Sequence, residues 1–323
     1  MNETQSYISD SAERLDTFLA SKIGQSRSQI TQLIKKECVH VDGKIVSRSG
    51  VKLKENQVVK IDFPPAEAKP ALDIDFNVEI LYEDKDVLVI NKPSGLTVHP
   101  APSVKEATLV DWLKHKGIRL STISGEERHG IVHRLDKGTS GTMIIAKNNE
   151  AHDYLSSQLQ DKSMGRYYLA VINPPLKNDI TEIECPIARS THNRLKMACL
   201  EHGKYAKTIF RTLALSSDEK NQLVACKLFT GRTHQIRVHL ESINRHIIGD
   251  HIYATSPKQE KSERILLHAY MIYFIHPTSK ERLTFVALPD GQMVEYINKK
   301  FNMEQINEVI NPNYILHGFA SDS

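Results

Sequence analysis

Three prolines in seven positions, Pro64, Pro65 and Pro70, constrain this chain more than any other feature. Proline fixes φ and donates no backbone N–H, so the segment 64–72 can continue neither a helix nor a central strand. Such a segment favours an extended, semi-stiff connector. It separates a short block, 13–63, from a long remainder, 73–305, followed by a polar-rich tail at 306–323 that reads as peripheral. At ~150 residues per domain, 323 residues also suggest two domains.

The short block reads as two helices and a hairpin. Leu15, Phe18, Leu19 and Ile23 share one helical face, as do Ile30, Leu33 and Ile34. Ser26 and Gln29 between them have capping-box spacing. Two β-prone runs, 38–41 and 44–46, flank Asp42-Gly43, a strong hairpin signal. A further strand is predicted over 58–61.

The net charge of +3 conceals an asymmetry: 13–63 carries ten Lys or Arg against six Asp or Glu, whereas 1–12 has only Glu3 and Asp10. Cations therefore concentrate in the short block, the pattern of a nucleic-acid-binding module on a more neutral body. Arg27, Lys35 and Lys36 surround the second helix and Lys44 follows the hairpin turn, so they are the candidate phosphate contacts.

In the remainder, strands are predicted at 87–90, 142–147, 166–172, 206–213, 222–229, 271–275 and 283–287. Helices are predicted near 107–116, 150–161 and 233–243. Strand follows strand too often for βαβ alternation, which indicates an α+β fold with a mixed, largely antiparallel sheet.

Several chemistries lack their residues. There is no Walker A loop and no GxGxxG after a strand. Gly138-Thr139-Ser140-Gly141 would be a nucleophile elbow only with Gly at 142, where Thr142 stands. His234 and His239 do not match HExxH, so no metal or cofactor is expected. Cys38, Cys185, Cys199 and Cys226 form no CxxC pair and read as reduced structural thiols. No apolar run approaches the ~20 residues of a membrane helix. The start, MNETQSYISDS, lacks a leader pattern, so a cytoplasmic protein is expected.

Three stretches concentrate chemistry: His133-Arg134-Leu135-Asp136-Lys137-Gly138-Thr139-Ser140-Gly141, Arg166-Tyr167-Tyr168-Leu169-Ala170 and Thr230-Gly231-Arg232-Thr233-His234-Gln235-Ile236-Arg237-Val238-His239. A carboxylate, an arginine to keep it ionised and a tyrosine to stack on a base suit nucleobase chemistry.

Together with Asn91-Lys92-Pro93-Ser94-Gly95, Gly249-Asp250, Tyr253 and Leu267-His268-Ala269, these stretches resemble the RluA family of RNA pseudouridine synthases. The closest likeness is to the subgroup with an N-terminal S4 domain, the RluC/RluD type, over about residues 13–300. The resemblance implies isomerisation of uridine to pseudouridine, most naturally in 23S (large-subunit) ribosomal RNA, by a monomer. It assigns the catalytic carboxylate to Asp136, its basic partner to Arg237, and a position against the uracil to Tyr168. Leu267 would wall the site. His133 and Arg134 would serve base flipping, and Arg194, Lys204 and Arg232 would grip RNA. The chain departs from the family with Gly138 in place of an acid, and with Glu37 and Asp42 where Gly and Asn are usual.

Overall fold

The computed structural model describes residues 4–23, 27–62, 74–101, 104–123, 128–254 and 262–319, with backbone alone at 27–29 and 32. The chain divides into two compact units, Met1–Ala71 and Leu72–Ser323. The proline segment 64–72, and Ser26 of the predicted capping box, lie outside the described residues.

The first unit contains β1 (Thr4–Ile8), α1 (Leu15–Ile23), α2 (Arg27–Lys35), β2 (Val39–Val41), β3 (Lys44–Ile45) and β4 (Val58–Asp62). Its antiparallel sheet runs β1-β4-β2-β3. Leu15, Phe18 and Leu19 of α1 and Ile30 and Ile34 of α2 meet Val39, Val59 and Ile61 in one core. The helical spacing of these residues is what brings them to one face. β1 was not anticipated: five residues before the expected domain start add an edge strand, Thr4 opposite Asp62.

Two of the three departures from the family, Glu37 after α2 and Asp42 in the hairpin turn, stand at positive φ. Asp42 and Gly43 both have positive φ, as a type I′ turn requires, and Glu37 has φ 60°. These are positions that Gly or Asn fill without strain. Asp42 is anchored by accepting hydrogen bonds from Val58 N (2.9 Å) and Gln57 Nε2 (2.7 Å). Those two donors engage both oxygens of the Asp42 carboxylate.

The second unit begins with β5 (Glu79–Glu83), β6 (Val87–Lys92), α3 (Leu109–His115), β7 (Ser140–Ala146) and α4 (Asn149–Gln160). It continues through β8 (Gly165–Asn173), β9 (Ile180–Glu184), β10 (Ile187–Arg189), β11 (Met197–Cys199), β12 (Lys207–Leu215) and β13 (Gln222–Leu228). α5 (Gln235–Ser242), β14 (His246–Ile247), β15 (Leu267–Ile275), β16 (Arg282–Val286), α6 (Gly291–Lys300), α7 (Met303–Val309) and α8 (Pro312–Gly318) complete it. The central sheet runs β5-β6-β7-β15-β8-β13-β12-β9, with β14 on β8 and β16 on β15. Its pairings are antiparallel except β7 with β15.

Both faces of the sheet are covered, and β8 shows why. Tyr168, Ala170 and Ile172 enter the core shared with α3 and α5, while Leu169 and Val171 enter a second core. Period-2 alternation of apolar residues on both faces demands cover on both sides. The site lies on the α3/α5 side.

The second core corrects the reading of 306–323 as a peripheral tail. α7 and α8 place Ile306, Val309, Ile315 and Phe319 into it beside Met293 and Ile297 of α6. Each such buried apolar side chain contributes ~1.5–3 kcal/mol. The cysteine expectation is also corrected in part: the sulfurs of Cys185 and Cys199 are joined, while Cys38 and Cys226 are free.

Candidate active site

Asp136 sits in the loop before β7, and close approach of two strands fixes that loop's end. At Gly141 (φ +116°) a Cβ would strike the backbone of Ala269 on β15. Ser140 is buried and bonded through Oγ to His268 Nδ1 (2.8 Å); Thr142 Oγ1 donates to Ala269 O (3.0 Å). The Gly-Thr-Ser-Gly run therefore knits β7 to β15 and offers no nucleophilic serine.

Lys92, at the end of β6, supports the same loop. It is fully buried, and its Nζ donates to Pro93 O (2.8 Å), Leu96 O (2.9 Å) and Lys137 O (3.4 Å). Burial pulls the ammonium down to about 7, with the charge of Asp136 opposing the shift. The three carbonyls are the local compensation for burying that cation.

α5 supplies the arginine. Arg237 Nε and Nη2 donate to the two oxygens of Asp250, both at 2.7 Å. Asp250 also accepts from the backbone N–H of Ile252 (3.0 Å) and Tyr253 (3.1 Å). Burial pushes the Asp250 carboxyl up, but the bidentate fork and charge of Arg237 outweigh it and hold the pKa low. The Tyr253 ring lies 4.9 Å from the guanidinium. Arg237 is thus locked on one side, and only Nη1 faces Asp136 Oδ2, at 3.5 Å. His234 Nε2 stands 3.9 Å from the same oxygen, while its Nδ1 meets Tyr253 Oη at 2.9 Å. His234 takes the left-handed conformation, φ 58°, where the chain turns into α5.

A cavity opens beside Asp136, lined by Tyr168, Leu267, Arg166, Leu228, Gly231 and Arg134 among others. Tyr168 is buried on β8, and burial pushes its hydroxyl up to about 12, so it stays protonated. Leu267 on β15 lies opposite Ala170, two residues from Tyr168. An apolar wall, an aromatic ring, a carboxylate and oriented cations are what a flipped base requires.

Family comparison decides between base chemistry and bare binding. A model for RNA pseudouridylate synthase matches residues 86–242, and an S4 domain model matches 13–59. An uncharacterized RNA pseudouridine synthase of Helicobacter pylori is 47% identical over 96% of both chains. The chain belongs to the RNA pseudouridine synthase family. A ribosomal large subunit pseudouridine synthase D of Zymomonas mobilis is 37% identical, covering 91% of the synthase and 94% of that protein. The solved structure of human RNA pseudouridylate synthase domain containing 1 shares the fold, with TM-score 0.57 and 24% identity over 72% of the synthase and 94% of that chain.

Of the residues singled out from sequence, the synthase brings together Asp136, Tyr168, Arg237 and Arg134, all on the cavity wall. Arg232 lines it too, its Nε held by Tyr205 O (2.9 Å). Arg134 is exposed, with Nη1 3.2 Å from His99 Nε2. His133 is a correction. Its Nε2 accepts from Ile144 N on β7 (3.0 Å), and burial holds its pKa down to about 3. The ring is turned into the fold and pins the loop to β7.

Arg194 and Lys204 are exposed on and beside the β10–β11 ribbon, apart from the cavity lining. Lys35, Lys36 and Lys44 are exposed on the S4 domain, and the side chain of Arg27 lies outside the described residues. The reading of the residues alone missed Asp250, His234, Tyr253, Lys92 and Arg166. Asp250 carries no local signal, since its partner is 13 residues away through a turn. Lys92 had a weak one: it ends a strand that opens with four apolar residues, Val87-Leu88-Val89-Ile90.

Among the described residues one group has metal-ligand character: Asp84, Asp86 and His276. Each atom is already engaged. His276 Nδ1 accepts from Thr278 N (3.2 Å) and Ser279 N (3.0 Å), which puts the proton on Nε2, donated to Asp84 (2.7 Å). Asp86 accepts from Asn148 and Thr278. The group knots the β5–β6 turn to the β15–β16 turn.

Proposed function

We propose that the synthase isomerises specific uridines of 23S ribosomal RNA, with Asp136 as the catalytic carboxylate. The carrying observation is the fixed arginine: Asp250 holds Arg237 so that a single N–H group faces Asp136 at the cavity mouth. Relatives named for the ribosomal large subunit support the substrate and, with it, a cytoplasmic site of action.

The target base leaves its helix at a cost of a few kcal/mol. Arg134, exposed beside the cavity, fills the space that the base vacates. The N1–C1′ bond then breaks and its electron pair departs with the uracil. Asp136 either bonds to C1′ or removes the 2′ proton to leave a glycal; carboxylates are established nucleophiles at glycosidic carbon. The uracil turns and C5 bonds to C1′ as the Asp136–C1′ bond breaks or, on the glycal route, as the proton returns to C2′; the C5 proton is then lost and N1 gains one. Substrate and product are isomers, so no redox change or co-substrate enters. Tyr168 stacks on the base as a neutral phenol. Lys35, Lys36 and Lys44 of the S4 domain, with Arg194, Lys204 and Arg232, hold the strand through phosphate contacts.

The test is pseudouridine mapping of total RNA from cells lacking the gene, complemented with wild type or Asp136→Asn. Large-subunit sites lost in the deletion and restored only by wild type are expected. Restoration by Asp136→Asn would overturn the catalytic assignment and leave an RNA-binding role.

A further inference from the structure

Four arginines line the cavity; two of them, Arg166 and Arg237, are buried, and of those two only Arg237 has a counter-ion among the described residues. Arg237 is paired with Asp250 and faces Asp136. Arg166 is only 7% exposed and, among the described residues, has no hydrogen bond or ion pair; its Nε is buried without an acceptor. The charge of a second cation, Arg232, also acts against it. Gly231 lies so close that a Cβ there would sit 2.7 Å from Arg166 Nη1. A guanidinium cannot escape by losing its proton, and an unpaired buried cation costs several kcal/mol. A fold keeps such a group where a ligand supplies the missing negative charge.

The position selects the ligand. Arg166 and Tyr168 are two apart on β8, so they project to the same face, and both line the cavity beside Asp136. Strand phosphates stay at the solvent side, where Arg134 is exposed. The group that enters beside Tyr168 is the base. We propose that Arg166 is a further catalytic residue, whose guanidinium receives the negative charge of the uracil as the N1–C1′ bond breaks. The electron pair of that bond moves onto N1 and, by resonance, O2; Arg166 neutralises this anion while it turns and until C5 attacks C1′. Either route open to Asp136 produces the same anion. The inference rests on the pseudouridine synthase reading of the site.

The test uses full-length protein and in vitro 23S transcripts containing either uridine or 5-fluorouridine, whose base is the better leaving group; because fluorine replaces the C5 proton, the rate read on both is that of N1–C1′ cleavage. Single-turnover rate, RNA Kd and Tm are read together. Arg166→Met is expected to slow the uridine reaction about 10²–10³-fold, the scale of removing one charge-stabilising donor. RNA Kd should stay within about twofold, and the rate deficit should shrink about tenfold on 5-fluorouridine. Tm should hold or rise, because an unpaired buried charge has been removed. Arg166→Lys should recover part of the rate and covers the case of a misfolded Met variant. Weaker RNA binding with the rate intact would reassign Arg166 to a strand phosphate. A fall in Tm with equal deficits on both transcripts would make it structural. Asp136→Asn run alongside separates the two levels: if it stays active the site reading falls, whereas an inert Asp136→Asn beside a fully active Arg166→Met sinks this inference alone.

Discussion

The S4 domain and the catalytic unit use charge in opposite ways. In the S4 domain Lys35, Lys36 and Lys44 are exposed, and the buried charge among its described residues is Asp16, paired with the half-exposed Arg14. In the catalytic unit Lys92, Arg166, Arg237 and Asp250 are all buried. Exposed cations hold a polyanion through counterion release, an interaction that salt weakens and that needs little geometry. Buried charges are costly, but in low dielectric they act strongly and stay oriented. One unit is built for affinity and the other for a directed reaction.

The sharpest way to break this contrast is Asp250→Asn. It leaves the Arg237 guanidinium buried against a neutral partner, and breaking a buried pair costs ~3–5 kcal/mol. That lowers Tm by roughly 6–20 °C for a unit of this size. The single-turnover rate should collapse with it, because Nη1 is no longer aimed at Asp136. Trp112 is the only tryptophan and is buried in the catalytic unit, so its emission follows that unit alone. An unchanged melt and rate would show that the locked arginine is dispensable.

Acid should separate the units next. His133 and His268 are held neutral by burial, with pKa values of about 3 and about 4. Their folded values lie below the unfolded 6.5, so the unfolded chain takes up protons that the folded form refuses. Their contribution is complete above pH 6.5 and is lost as pH falls toward 4, at about 1 kcal/mol per pH unit for each. In the S4 domain, hydrogen bonds from Lys22, Val58 N and Thr4 hold Asp10, Asp42 and Asp62 below the usual carboxylate range. Those groups titrate only at lower pH. Trp112 emission should therefore report acid unfolding between pH 6.5 and 4, while the S4 amide signals in NMR persist. Loss of both together would erase the distinction.

The smallest expected effect tests the S4 side. Changing Lys35, Lys36 and Lys44 to Gln should flatten the salt dependence of RNA binding, by about one unit of slope for each phosphate no longer neutralised. The single-turnover rate at saturating protein should be unchanged. A fallen rate with intact affinity would show that the S4 domain acts in the chemistry.

Legibility followed the same divide. α5 was readable because Ile236, Leu240 and Ile243 recur at helical spacing, and all three pack in the core around the site. The S4 hairpin was readable because Asp42-Gly43 admits few other turns. α6, α7 and α8 were missed although Asp290, Asn302 and Asn311 each cap the following helix, with Pro312 just inside the last one. Their apolar residues are sparse, so the caps were the stronger signal. In the candidate site, Asp136, Tyr168 and Arg237 were singled out from their motifs, and the fold brings all three to one cavity. His133 was misread because a histidine beside a catalytic loop looks the same in sequence whether it faces RNA or β7.

The sequence by itself determined the two units and most of their elements, and it singled out Asp136, Tyr168 and Arg237 as candidates for the chemistry. These follow from local rules: proline removes a donor, positive φ selects Gly or Asx, and apolar spacing selects a face. Only the tertiary structure decided the partners. Asp136 and Arg237 are 101 positions apart, and their meeting depends on β7, β8 and β15 pairing in one register. The same packing gave Arg237 its counter-ion Asp250 and left Arg166 with none among the described residues. No short stretch encodes that difference, because each pairing is the sum of many distant interactions.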